Sequence, residues 1–221
     1  MKQRKWTFKL RSTNEVEILE IIRNLKNTSS SGVDYINLRT IKLIAEFIAP
    51  SLVHIINLSI ETSTFPRIWK VAKVVPLLKS SSCDSLDLNS YRPDALLPIF
   101  SKILEKVIFR QLACYLESNN LIHPNLHGSR PGHSTSTALI QMYDQWVEDV
   151  MDGKLVGLLI CDQSAAYDIC DHKLLLEKLE LLGLQGKELL WMHSYLYGRK
   201  QHCYVEGNLS ESQDLLDCRV P

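Results

Sequence analysis

Asp162, Tyr167, Asp168 and Asp171 follow directly on the apolar run Val156-Gly157-Leu158-Leu159-Ile160-Cys161. A valine- and leucine-rich run of this length predicts a buried strand over 155–161, which delivers Asp162 to the strand's end. A carboxylate there could ligate a divalent cation, accept a phosphoryl group as a nucleophile, or cap the following turn. Ser164 stands where a nucleophilic-aspartate phosphatase has its second aspartate, which weakens the phosphoryl reading. Tyr167 would share the cleft of Asp162 if the chain turns sharply after the strand, and would otherwise pack in the core. Asp171 and His172 offer either a metal pair or the start of a helix, and N-capping is the simpler role for Asp171. Arg92, in the tripeptide YRP, is either a bidentate phosphate ligand or an ordinary surface arginine.

The elements that must position these residues are legible as periodic stretches. Ser12 and Glu15 have capping-box spacing ahead of Ile18, Leu19, Ile21, Ile22 and Leu25, which predicts a first helix ending near Asn27. A second helix is expected from Asn37 to Pro50, where the proline should end or kink it, and a third reaches Thr62. Trp69 to Leu78 predicts a strand with Lys70 and Lys73 on its wet face. A serine- and aspartate-rich loop over 80–90 precedes a long helix over 99–117, buried along Ile103, Leu104, Val107, Ile108, Leu112, Tyr115 and Leu116. Ser134 should open a helix with Leu139, Met142, Trp146, Val147 and Val150 turned inward and Gly153 closing it. Asp171 should cap a helix that ends at Gly183. A short helix over 187–197 follows, then strands over 199–205 and 213–220 around Glu206-Gly207-Asn208. Helices first, then strands mixed with helices, predict an α+β or mixed α/β fold.

Composition narrows the class without naming it. The 221 residues carry 25 basic and 25 acidic side chains, so any surface for a polyanion must be local. Lys2, Arg4, Lys5, Lys9 and Arg11 form one basic cluster, and Arg67, Lys70, Lys73, Lys79 and Arg92 another; either would also serve as a solvated face. Six cysteines without a C-x-x-C pair, and no signal peptide ahead of them, point to reduced thiols in an intracellular protein. The histidines lack the spacing of a structural zinc site. No apolar run nears the ~20 residues of a membrane span, so no integral membrane association is expected.

Several ordered blocks carry more than their parts: TFPRIWKVAKVVPLLK, LNSYRPDALLPIFSKILEKVIFRQL, LIHPNLHGSRPGHSTSTALI, LLICDQSAAYDICDHKLLLEKLELLGL, YLYGRKQHCYVEG and the final CRVP. Together they resemble the reverse transcriptase domain of non-LTR, LINE-type retrotransposons over essentially the whole chain. The resemblance implies a partial right-hand polymerase fold, with a helical region over 1–68, fingers over 69–153 and the start of the palm over 154–221. It implies an RNA-directed DNA polymerase working with Mg²⁺, deoxynucleoside triphosphates, an RNA template and a DNA primer. Asp162 matches the first catalytic, metal-holding aspartate. Tyr167 matches the aromatic beneath the incoming sugar, Arg92 and Lys79 match the phosphate contacts of the fingers, and Arg130 falls in a block close to nucleic acid.

Departures from the pattern are Asp94 for an apolar residue in YRPDALLP, Ser129 for an aromatic in HGSRPG, Ala165 for lysine, and Arg219 for glycine. The YxDD hairpin that supplies the partner carboxylates in this family does not occur in these residues. Two-metal chemistry needs several anionic oxygens, so the expectation is an amino-terminal part of a polymerase domain that is inactive alone, or a residual nucleic-acid-binding module. An unpaired apolar strand at 155–161 is expected to make it poorly soluble.

Overall fold

Asn14, rather than Ser12, starts the first helix: its side-chain oxygen accepts the Glu17 N–H, so α1 runs Glu15–Asn24. Thr13, one residue earlier, instead turns its hydroxyl onto the Glu17 carboxylate at 2.7 Å. In the computed structural model residues 6–27, 30–163, 166 and 169–215 are described. They fall into two compact units, 1–113 with 165–221, and 114–164.

In the larger unit Asn37 caps α2 (Leu38–Leu43), and the break comes at Ile44 instead of Pro50. Pro50 lies inside α3 (Ala45–Thr62), correcting the expected terminus. Pro50 is the sixth residue of α3, so the helix continues through it without the bond that an N–H there would make to Glu46 O. Ser63, at φ 54°, closes α3 in a left-handed conformation. The apolar sides of α1 and α3 pack together, burying Ile18, Ile21, Ile22, Ala49, Leu52 and Ile56.

A 3₁₀ turn over Arg67–Lys70 leads into β1 (Val71–Leu78), which pairs antiparallel with β2 (Tyr91–Leu96). The sequence predicts no element over 91–96, and a proline there is unusual in a ladder. The register explains its tolerance. The Lys79 N–H donates to Ser90 O, so that pair is bonded; counting back, the pairing alternates and Pro76 faces Pro93 at an unbonded position. β3 (Lys200–Val205) lies parallel to β1 but reaches only Val74, so Pro76 meets no neighbour on that side either. β4 (Asn208–Leu209) returns from β3 through Glu206 and Gly207, both at positive φ, as a two-residue hairpin demands. β5 (Gln213–Asp214) adds a short antiparallel pair to β3, and the rest of the strand expected over 213–220 lies outside the described residues.

α4 (Ile99–Ser118) buries Ile103, Leu104, Val107 and Ile108 as its spacing predicts, while Leu112, Tyr115 and Leu116, expected on the same stripe, are only half-buried. Asp171 caps α6 (His172–Leu181) by accepting the Leu174 N–H at 2.9 Å, which is the capping role expected for it. α7 (Lys187–Leu196) brings Trp191 and Tyr195 against Phe65, with Trp191 Nε1 donating to Ser59. Arg199 is 2% exposed beneath this cluster, stacked 4.3 Å from the Tyr195 ring.

An extended strap ahead of α1 is tied to this core by side chains that act like a neighbouring strand. Gln111 accepts the Arg11 N–H at 2.8 Å and donates to Arg11 O at 2.9 Å. Asn57 does the same for Thr13, at 2.8 and 3.1 Å. Phe8 donates its N–H to Gly183 O and buries its ring.

In the smaller unit Ser134 caps α5 (Thr135–Met151) through a capping box completed by Thr137, and Gly153 follows at φ 75°. The inward stripe expected of α5 is not there: the helix has no buried residue, and Leu139 and Val150 are exposed. The strand expected over 155–161 is likewise absent; residues 154–163 are irregular and Leu155, Leu158, Leu159 and Ile160 are exposed. A strand exists only as part of a ladder, and among the described residues no strand pairs with this run.

Candidate functional site

The β1–β2 hairpin collects the basic residues. Strand alternation places Lys73, Val75, Leu77 and Lys79 on one face of β1, and the register sets Arg92 opposite Leu77 and Asp94 opposite Val75 on that same face. Lys79 and Arg92, separated by the loop over 80–90, are thereby diagonal neighbours at the loop end of the hairpin. Both are exposed. Lys79 Nζ donates to Asn89 O at 2.7 Å, which draws the ammonium toward the loop. The Arg92 guanidinium has no hydrogen bond or ion pair among the described residues, so its donor fork is available. The loop that joins the two strands is itself ordered: Tyr91 donates its hydroxyl to Ser85 O, and Asp87 caps the 3₁₀ turn over Leu88–Ser90. Asp94, which stands in place of an apolar residue, is exposed and so solvated.

Lys70 and Lys73 do not lie on a wet face. They are 8% and 6% exposed. Lys70 Nζ donates to Tyr197 O at 3.0 Å. Burial, with Arg199 and Arg67 nearby, holds its ammonium below the usual lysine range. Lys73 Nζ sits 5.2 Å from the Tyr35 ring centroid and 5.0 Å from that of Tyr204, a cation between two aromatic faces. Tyr35 is held at φ 55°, next to Gly32, whose backbone presses against Pro98. This aromatic clamp was missed, since nothing in the spacing of Tyr35, Lys73 and Tyr204 links three distant segments.

Arg130 is engaged elsewhere than expected. Its Nε and Nη2 donate to the two oxygens of Glu117 at 2.7 and 2.9 Å, a fork-to-fork pair. The pairing holds the Glu117 carboxyl below its usual range and the guanidinium above its own. Beside it His127 bonds Thr137 and Gln141, and the His133 ring lies 5.2 Å away edge-on. Ser129, in place of an aromatic, occupies a left-handed turn at φ 55°.

Asp162 belongs to the smaller unit and is exposed, in the irregular stretch after the apolar run. Tyr167 lies outside the described residues, as do Ala165, Asp168 and Arg219. Among the described residues no three His, Cys, Asp or Glu side chains converge as a cation site. A hard divalent ion takes six or more oxygens, so Asp162 alone does not form a magnesium site.

The family model for reverse transcriptase (RNA-dependent DNA polymerase) matches residues 78–221, and the chain belongs to that family. Its relatives narrow the kind. It is 30% identical over 206 residues to the RNA-directed DNA polymerase from mobile element jockey of Drosophila funebris, covering 93% of this chain and 22% of that protein. The jockey polymerase of Drosophila melanogaster is 28% identical over 191 residues, 86% of this chain and 21% of that protein. The Pol polyprotein from type-1 retrotransposable element R1 of Bradysia coprophila is 30% identical over 185 residues, 83% of this chain and 18% of that protein. The similarity to non-LTR retrotransposon reverse transcriptases drawn from the motif blocks is borne out. The chain spans about a fifth of the length of these curated relatives.

Proposed function

We propose that this chain supplies the fingers and the first part of the palm of a right-hand polymerase that copies an RNA template onto a DNA primer from deoxynucleoside triphosphates. The helical region over 1–68 precedes the fingers, which take in 69–153, and the palm begins over 154–221. The observation that carries the reading is the hairpin face, where the unpartnered fork of Arg92 and the ammonium of Lys79 stand as exposed diagonal neighbours. A planar fork and a point charge suit the non-bridging oxygens of a triphosphate.

In this reading Asp162 contributes one carboxylate to a Mg²⁺ site, and its exposure at the end of an apolar run leaves it accessible to further ligands. Tyr167 places its ring beneath the incoming sugar and excludes a 2′-hydroxyl. Arg130 serves nucleic acid only where a backbone phosphate competes with Glu117 or takes the part of the guanidinium that Glu117 leaves open. The family match supports these roles through the motif blocks in which the residues lie.

The test is direct binding of 2-aminopurine deoxyriboside triphosphate to the full chain, read by fluorescence. Loss of charge-assisted hydrogen bonds of about 1.5–3 kcal/mol predicts that Arg92→Ala weakens binding about 10- to 100-fold. Lys79→Ala should weaken it less, and equal affinity in the parent and Arg92→Ala would remove the proposed grip.

A further inference from the structure

Away from the hairpin, the larger unit carries a groove of about 530 Å³ between the end of α1, one face of α4 and α7. Its floor is core: Ile108, Trp191 and Met192 are 3%, 1% and 7% exposed. Leu25, Phe109 and Leu112 form its walls, and Phe109 remains 45% exposed although it projects from the middle of a 20-residue helix. An aromatic left that open beside a concave apolar surface is uncommon on a finished surface.

The charges around the groove are one-sided. Lys102 and Lys106 stand one turn apart on α4 and line it together with Glu105. Glu105 directs its Oε1 inward, accepting from the Ser101 hydroxyl at 2.8 Å and facing Arg199 at 3.9 Å. Lys106 Nζ covers the Phe109 ring at 4.8 Å, and neither lysine is in an ion pair among the described residues. The groove is therefore apolar within and positive at the α4 rim.

The backbone limits what can enter. Two walls, α4 and α7, are helices whose backbone groups bond internally, and at the third the Leu25 carbonyl accepts from Lys42 Nζ and its N–H bonds Ile21 O, so the walls leave no strand edge and recognition must run through side chains. Ridges of a helix fit grooves between helices. Lys102 to Leu112 spans ~15 Å of helix axis, enough for two to three turns of a ligand helix.

We propose that this groove docks an amphipathic helix of a partner polypeptide, with leucine or phenylalanine along its apolar edge and acidic residues along the flank that meets Lys102 and Lys106. The apolar edge fills the space over Trp191 and Met192, and the acids pair with the two lysines.

The experiment titrates the full chain into a labelled synthetic 16-residue helix, ~24 Å long, with leucines at i, i+3, i+4 and i+7 and glutamates beside them, read by fluorescence anisotropy at low salt. A second peptide carries lysine in place of each glutamate. The acidic peptide should bind saturably and about tenfold more tightly than the basic one, and Lys102→Glu/Lys106→Glu should invert that preference. Phe109→Ser should weaken both peptides while leaving the far-ultraviolet circular dichroism unchanged, because the residue is half-exposed. No saturable binding of the acidic peptide, or equal binding of both peptides, would overturn the proposal. So would a preference indifferent to the charge reversal, or self-association of the chain that Phe109→Ser abolishes, which would make a second copy the occupant.

Discussion

The two hydrogen bonds between Gln111 and the backbone of Arg11 are a compact test of whether the strap over residues 8–13 is held as described. Gln111→Met keeps the length and volume of the side chain and removes both its donor and its acceptor. Each net bond is worth about 0.5–1.5 kcal/mol, and Arg11 is exposed, so water can rehydrate the freed N–H and C=O instead of leaving them stranded. The loss should therefore be about 2 kcal/mol. For a chain of this size that lowers Tm by about 4–8 °C. Urea unfolding followed by circular dichroism should show a lower midpoint at unchanged slope, with faster amide exchange at Arg11. A change below about 0.5 kcal/mol, with Arg11 exchange unaltered, would refute a carboxamide clamp.

Two further outcomes follow from the core. Burial holds the Glu105 carboxyl above its ordinary value of 4.5, against the opposing pull of Ser101, Arg199 and Lys102. The folded state thus binds this proton more tightly than the unfolded chain, so the contribution is intact below the ordinary value and is lost as pH rises through the raised one. Glu105→Gln should remove that decline from stability-versus-pH curves; a steeper decline in the variant would contradict the sign. Gly32→Ala would place a Cβ 2.8 Å from Pro98 N and 3.0 Å from Leu97 C, both backbone, and should destabilise by about 1–3 kcal/mol in thermal unfolding, whereas a neutral result would contradict the close approach.

What could be read from the sequence was local. Helical spacing located α4, and the caps at Ser134 and Asp171 fell where hydroxyl and carboxylate spacing put them, because capping depends on residues within one turn. β2 went unassigned, and the tolerance of its Pro93 depends on an unbonded pairing position that only the register reveals. Lys70 and Lys73 looked solvated because alternation cannot tell which face a neighbouring strand or a tyrosine will cover. The run ending at Asp162 reads as a strand by composition, yet strand formation depends on a partner ladder that composition does not supply. At the site, Lys79 and Arg92 were legible as motif residues, while their shared face came only from the hairpin. Arg130's bond to Glu117 joins two segments that no local pattern connects.

Primer extension on an RNA template tests the polymerase reading most directly, using the domain completed with the downstream segment of the jockey-type relative and Mg²⁺. The parent should incorporate deoxynucleotides, and Asp162→Asn should lose that activity by several orders of magnitude, since one missing metal-holding carboxylate removes most of the stabilisation of the transferring group. Extension by Asp162→Asn at the rate of the parent would contradict that reading, as would a completed parent domain that folds and binds primer-template but never extends it.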